Sequence, residues 1–286
     1  MATVQMGRPS RIGFDRRHRL PAPSAGGVNF PDPENQASHG RWRRIERRSL
    51  TLMFHVKICG VTTDTDARLV VAAGADAIGL NFVAGSPRCL DIAAARAVRA
   101  AVPPGVLTVG VFAGMPPEEI RRVAGAVALD AIQLHGHLDA DHPAGDPPER
   151  CRDLAPLRIL RALRLESPGE ADPLAAGRQW IEEARRLGHA PSMAIIDATV
   201  SRGTAPGQLG GTGARVDWQV LARARPLDIP TALAGGLNAA NVAEAIRATR
   251  VTAVDTASGV EAAPGRKDPA MVRAFVEAAL QALGHG

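Results

Sequence analysis

Two side chains able to move protons close apolar runs that lie far apart in the chain: Cys59 in HVKICG (55–60) and Asp197 in MAIIDA (193–198). A thiolate is a competent base, and a carboxylic acid held protonated by its surroundings can donate. Such a pair suits an isomerisation, in which one proton leaves carbon and another reaches oxygen. The same residues also read as a packed strand cysteine and an aspartate capping a turn, and residue type alone leaves both readings open. More polar residues stand at equivalent places: Arg88 in GSPR, Gln133 and His135 in AIQLH (131–135), and Asp255 in TAVDTAS (252–258). Gly235-Gly236 and Ser258-Gly259 offer backbone N–H groups that a phosphate can approach closely. The chain contains no tyrosine, which removes that residue from every catalytic role.

These residues act together only if the fold brings them to one mouth. Eight apolar runs are strand candidates: HVKICG (55–60), DAIGLNF (76–82), VLTVGVF (106–112), AIQLH (131–135), RILRAL (158–163), MAIIDA (193–198), IPTALAG (229–235) and TAVDTAS (252–258). They are mostly uninterrupted, as expected for parallel strands buried on both faces. Helical patterns with boundary signals lie between them. Asp64 precedes TDARLVVAAG, which closes on Gly74, and Asp91 precedes IAAARAVRAAV. Met115-Pro116-Pro117 opens EEIRRVAGAVA, Asn238 opens AANVAEAIRAT, and Asp268-Pro269 opens AMVRAFVEAALQAL. Eight strand–helix alternations predict an α/β fold, a (β/α)8 TIM barrel over 54–286. The alternative, an open doubly wound sheet, places its Gly-rich turn directly after the first strand. Here the Gly clusters follow the sixth and seventh strands, which favours the barrel. Active sites of such barrels occupy the βα loops, and those after strands seven and eight commonly hold phosphate. The Pro/Asp/Gly-rich region 137–156 reads as an enlarged βα loop, and 199–216, with its Gly-rich stretch, as a lid.

The 286 residues are 45% hydrophobic and 22% charged, which provides a real core and excludes global disorder. Three cysteines cannot make a multi-bridge scaffold; they point to a reducing compartment, and we expect the cytoplasm. The net charge of +5 is unevenly spread. Residues 1–52 hold ten Arg against four acids, a net of +6, and the remainder sums to −1. We therefore separate a basic N-terminal arm, 1–53, from the barrel and expect it to be disordered and mobile. The arm lacks the apolar core of a signal peptide. Its isolated Phe14, Phe30 and Trp42 make no stacking pattern, so nucleic acid is not an expected partner. A translation start at Met53 is a third reading of the same segment. No run of about 20 apolar residues is present to span a membrane.

A resemblance sharpens the chemistry. KICGVT (57–62), GADAIGLNFVAGSPR (74–88), VGVF (109–112), QLHG (133–136), GGTG (210–213), LAGGLNAANV (233–242) and VDTASGVEAAPGRKD (254–268) follow one another in this order. Together they resemble the phosphoribosylanthranilate isomerase family of tryptophan biosynthesis, from about Phe54 to Leu283. The combination of KICG, QLHG and SGVE-x-x-PG-x-KD is far more specific than generic barrel spacing. The resemblance implies an Amadori rearrangement with Cys59 as general base and Asp197 as general acid. It also implies that Arg88 pairs with the anthranilate carboxylate and that Asp255 contacts the sugar hydroxyls, with Gln133 and His135 also binding substrate. Phosphate then rests on Gly211, Gly213, Gly235, Gly236, Ser258 and Gly259. The implied partner is a phosphorylated sugar–anthranilate small molecule, handled by a monomer or homodimer without cofactor or metal. Leu209 stands where many members carry Tyr, and Cys89 where an aromatic is frequent, so no lid or stacking role is assigned to either.

Other patterns invite other functions. HGHLDADH (135–142) offers enough ligands for zinc, but the pattern is weak and reads more simply as a solvated loop. Cys151, Trp180 and Trp218 read as packing residues of helices. An aminoaldose isomerase of histidine biosynthesis resembles the same fold and chemistry, but that family uses Asp where Cys59 stands. A catalytically silent phosphate-binding barrel is argued against by the presence of Cys59, Arg88 and Asp197 together.

Overall fold

Apolar runs alternating with capped helical stretches close into a ring. The computed structural model describes residues 52–136, 146–164, 172–197 and 218–285. Eight parallel strands form a closed barrel in chain order: β1 Val56–Cys59, β2 Ala77–Asn81, β3 Leu107–Phe112, β4 Ala131–Leu134, β5 Ile159–Arg164, β6 Met193–Asp197, β7 Thr231–Ala234 and β8 Ala253–Thr256. The barrel closes through Lys57, which pairs with Ala77 on one side and Asp255 on the other.

Side chains alternate between two buried environments, because successive residues of a strand point to opposite faces. One set packs outward against the helices, with Val56, Ile58, Ile78, Leu80, Ile132 and Leu134 among its members. The other fills the barrel interior: Phe54, Ala77, Val109, Ala131, Leu160, Met193, Ile195, Ala232 and Ala253. The second set occupies the lower interior and supports a more polar layer above it. Continuing the interior parity of Ala131, Ile195 and Ala253 turns Gln133, Asp197 and Asp255 inward, and alternation with the outward Val56 and Ile58 does the same for Lys57 and Cys59.

The helices are α1 Asp64–Ala72, α2 Ile92–Ala100, α3 Pro117–Val127, α4 Glu149–Leu154, α5 Ala175–Arg186, α6 Trp218–Arg223, α7 Val242–Thr249 and α8 Pro269–Leu283. Asp91 and Asp268 cap α2 and α8 as expected; the Asp91 carboxylate accepts from Ala94 N at 2.7 Å and that of Asp268 from Met271 N at 2.9 Å. Two helix starts differ from expectation. Thr63 caps α1, its hydroxyl accepting from Asp66 N at 3.0 Å, and Asp64 is the first helical residue. Asn238 does not begin α7. Asn241 stands at the cap, and its carboxamide oxygen accepts from Asn238 N at 2.8 Å, so 238–241 form a turn before Val242.

The enlarged βα loop expected over 137–156 ends in α4, on the stretch around Cys151 that also read as helical, and this helix buries Cys151 and Leu154 one turn apart. Trp180 on α5 packs as expected: its indole N–H donates to Asp146 O at 2.8 Å, and the Arg161 guanidinium lies 4.8 Å from its ring centroid. Trp218 packs, partly buried, against the outer core. A small antiparallel sheet after β8, β9 Glu261–Ala263 with β10 Arg266–Lys267, was not foreseen from the sequence. No described helix is long and apolar enough to cross a membrane.

Candidate active site

Inward parity at the C-terminal ends of the strands gathers the predicted residues. Cys59, Arg88, Gln133, His135, Asp197, Asp255, Gly235, Gly236 and Ser258 line one cavity of about 740 Å3. A second hollow of about 630 Å3, at the opposite end of the barrel around His55, Arg250 and His285, collects none of them.

Cys59 owes its place to its neighbours on both sides. Gly79 is its partner across the β1–β2 ladder, and a Cβ there would stand 2.7 Å from the Cys59 sulfur. Any larger residue would therefore displace the thiol. Below it on the same strand lies Lys57, fully buried, whose Nζ donates to Asp255 Oδ2 at 2.9 Å. Burial pushes the Cys59 thiol above its ordinary range, while the Lys57 ammonium pulls it back and Asp255 adds to the rise. Burial by itself would lower Lys57, but Asp255 and Cys59 outweigh it and hold the ammonium above its usual value. Asp255 is pushed up by burial against the pull of Lys57. Its position beside Lys57 gives it a structural duty in addition to any contact with substrate.

On β4, Gln133 is buried and its side-chain amide lies 3.4 Å from His135 Nδ1. Burial lowers the His135 pKa, opposed by the nearby Asp197 carboxylate, so a neutral imidazole is favoured at this wall. Asn81 shapes the loop that carries Arg88: its side chain accepts from Val83 N at 2.7 Å and donates to Ser86 Oγ at 3.2 Å. Arg88 enters the cavity with two of its N–H groups already engaged by Glu261, at 2.8 and 2.6 Å.

The loops after β7 and β8 touch through glycine. Gly235 and Gly236 adopt φ of +93° and +63°, a region that favours residues without a Cβ. Thr256 Oγ1 donates to Leu237 O at 2.7 Å, and a Cβ on Gly259 would come within 1.8 Å of that same carbonyl. Gly259 was expected in the phosphate cradle. It does not line the cavity, because it lies where the two loops abut and permits their contact. Gly259→Ala is expected to lower stability by about 1–3 kcal/mol, since a backbone carbonyl cannot step aside as a side chain can. Urea unfolding checks this, together with weakened competitive inhibition by inorganic phosphate as the two loops part. Unchanged stability and inhibition would remove Gly259 from this role.

Gly211 and Gly213, with the expected lid around Leu209, lie outside the described residues, as does HGHLDADH beyond Gly136. Among the described residues no group of three or more His, Cys, Asp or Glu could hold a metal ion. Sequence reasoning passed over Lys57, Asn81, Glu261 and Lys267. Lys57 carried a readable signal: a charged residue at inward parity, two positions before Cys59, in an otherwise apolar strand. Glu261 and Lys267 carried none, because their partners are distant in the chain.

Comparison with known proteins points to one family. A family model described as N-(5'-phosphoribosyl)anthranilate (PRA) isomerase matches residues 56–278. The N-(5'-phosphoribosyl)anthranilate isomerase of Myxococcus xanthus is 41% identical over 224 residues, covering 78% of this chain and 95% of that one. The phosphoribosyl anthranilate isomerase structure from Thermotoga maritima aligns with a TM-score of 0.63 at 33% identity, covering 80% of this chain and all of that one, 100%. Another phosphoribosyl anthranilate isomerase structure, in complex with reduced 1-(o-carboxyphenylamino)-1-deoxyribulose 5-phosphate, aligns with a TM-score of 0.62 at 32% identity and the same coverage, 80% and 100%.

Proposed function

We propose residue roles from one premise: the chain belongs to the N-(5'-phosphoribosyl)anthranilate isomerase family. It is an isomerase of tryptophan biosynthesis that converts the aminoaldose N-(5-phosphoribosyl)anthranilate into the aminoketose 1-(2-carboxyphenylamino)-1-deoxyribulose 5-phosphate. Substrate and product contain the same atoms, so the chemistry reduces to moving protons in the right order.

Asp197 gives its proton to the furanose ring oxygen as the bond from that oxygen to C1′ breaks, and the anthranilate nitrogen lone pair forms the Schiff base. Cys59, as thiolate, removes the C2′ proton, and the freed electron pair neutralises the iminium to an enolamine. The enolamine then tautomerises to the ketone. Arg88 receives the anthranilate carboxylate. Asp255, Gln133 and His135 face the sugar, and Gly235, Gly236 and Ser258 receive the phosphate, with Gly211 and Gly213 completing the cradle. The observation that carries this reading is the arrival of Cys59 and Asp197, from β1 and β6, in one cavity with Arg88 and the glycine loops.

The catalytic unit in this reading begins near Phe54, acts in the cytoplasm as a monomer or homodimer, and does not require the basic arm. The test is turnover of freshly generated substrate, followed by loss of its anthranilate-type fluorescence. Both the full chain and one starting at Met53 are expected to turn over at equal rates. An inactive full chain would overturn the assignment, and an inactive shorter chain would overturn only the dispensability of the arm.

A further inference from the structure

The small β9–β10 sheet brings two charged residues against the site. Glu261 is nearly buried, its side chain 4% exposed, and accepts from Arg88 twice: Nε–H to Oε1 at 2.8 Å and Nη2–H to Oε2 at 2.6 Å. Lys267, with its side chain fully buried, donates to the same Oε1 at 2.8 Å, to Cys59 O at 2.6 Å and to Ala257 O at 3.1 Å. One carboxylate thus links the guanidinium in the cavity to an ammonium that holds the carbonyl of Cys59. Thr62 Oγ1 ties the sheet down by donating to Gly265 O at 2.5 Å.

The way Arg88 is held leaves part of it unused. A guanidinium carries five N–H donors, and Glu261 takes two of them along the Nε–Nη2 edge. Nη1 makes no hydrogen bond to a described residue, and Arg88 lines the cavity. The stem is seated as well: a Cβ on Gly60 would stand 2.3 Å from Arg88 Cδ, so glycine leaves the room that the side chain occupies. Charge agrees with the geometry. One acid between two cations leaves the trio net positive, so engaging Arg88 does not cancel its attraction for an anion. Burial pushes the Glu261 carboxyl up, but Arg88 and Lys267 outweigh this and hold it below its ordinary value, so it stays ionised as a partner.

We infer that Glu261 is a positioning residue for substrate recognition: it grips Arg88 by the Nε–Nη2 edge and presents the Nη1–Nη2 end to the anthranilate carboxylate. This rests on the reading of Arg88 as the carboxylate-binding group. The planar fork then serves two carboxylates at once, a fixed one behind and the substrate's in front. Lys267 keeps Glu261 from following Arg88 toward solvent.

Two ligands separate the possibilities: the product, and its analogue 1-phenylamino-1-deoxyribulose 5-phosphate, which lacks the carboxylate. Calorimetric titration of Glu261→Gln is expected to show product affinity lowered roughly 10–100-fold, with affinity for the analogue changed by less than about threefold. KM should rise more than kcat falls, and Glu261→Asp should recover part of the loss. In an Arg88→Met background, Glu261→Gln should add nothing further. Product binding to Glu261→Gln as tight as to wild type, or tighter, would overturn the inference and make Glu261 a bystander or a competitor. Equal weakening of both ligands, or a loss that persists without Arg88, would also overturn it as general damage to the loop. If Arg88→Met itself keeps the preference for the carboxylate ligand, the reading of Arg88 fails first and this inference falls with it.

Discussion

Cys59→Ala is expected to lower kcat by roughly 10²–10⁴-fold, the range a general base contributes, while product still binds. The side chain is small, sits opposite Gly79 and leaves only a small gap, so the barrel keeps its shape. Its loss removes the one group placed to take the C2′ proton in the proposed sequence. The pH dependence follows from its surroundings. Burial holds the thiol above its ordinary pKa, with Lys57 opposing. At any pH below that value the thiolate fraction grows about tenfold per unit, so in an Asp197→Asn background, where the thiolate alone sets the protonation requirement, kcat/KM should climb through neutral pH into the alkaline range. Lys57→Met removes the opposing ammonium and should shift this climb to higher pH, because less thiolate then forms at a given pH. Alkylation by iodoacetamide reads the same titration without turnover and should slow in Lys57→Met at neutral pH. Near-full activity of Cys59→Ala would remove Cys59 from the role of base.

Most of the barrel was legible because its signals are local. Uninterrupted apolar runs such as MAIIDA and VLTVGVF place β6 and β3 within about a residue of where they lie, since a parallel strand buried on both faces tolerates few polar residues. Caps were legible where an Asp side chain had a single use, as at Asp91 and Asp268. They were not where two candidates competed, as with Thr63 and Asp64, or Asn238 and Asn241. The active-site residues inward at strand ends were legible for the same local reason: parity along a strand fixes which side chains face the mouth. What joins them was not. Lys57 meets Asp255 across 198 positions of sequence and Arg88 meets Glu261 across 173. The β9–β10 sheet is too short to announce itself by pattern, and it is Glu261 of β9 that meets Arg88. Local sequence therefore shows the proposed reacting groups, and tertiary structure supplies the charged partners beside them.

Asp197→Asn separates the proposed acid from the proposed base and is expected to match the Cys59 variant in size, a fall in kcat of roughly 10²–10⁴-fold. Asp197 closes β6, paired with Arg164 on β5 and Ala234 on β7. In the closed barrel, β6 is three strands from β1 in one direction and five in the other, which sets Asp197 nearly across the mouth from Cys59. That separation suits a reaction whose two protonic events occur at different atoms, the ring oxygen and C2′. Asparagine keeps the size and hydrogen-bonding shape of the side chain but has no acidic proton to release, so ring opening loses its donor while the cavity keeps its outline. The pH profile tells the two variants apart. Asp197→Asn should show the climb of kcat/KM with pH that belongs to Cys59, whereas Cys59→Ala should show none. Because ring opening precedes removal of the C2′ proton, the double variant should fall close to the slower single variant and well short of the product of the two losses. An Asn variant with most of its kcat would place the acid elsewhere on the cavity wall. His135 would then be the first side chain to test, because it lines the same cavity close to Asp197.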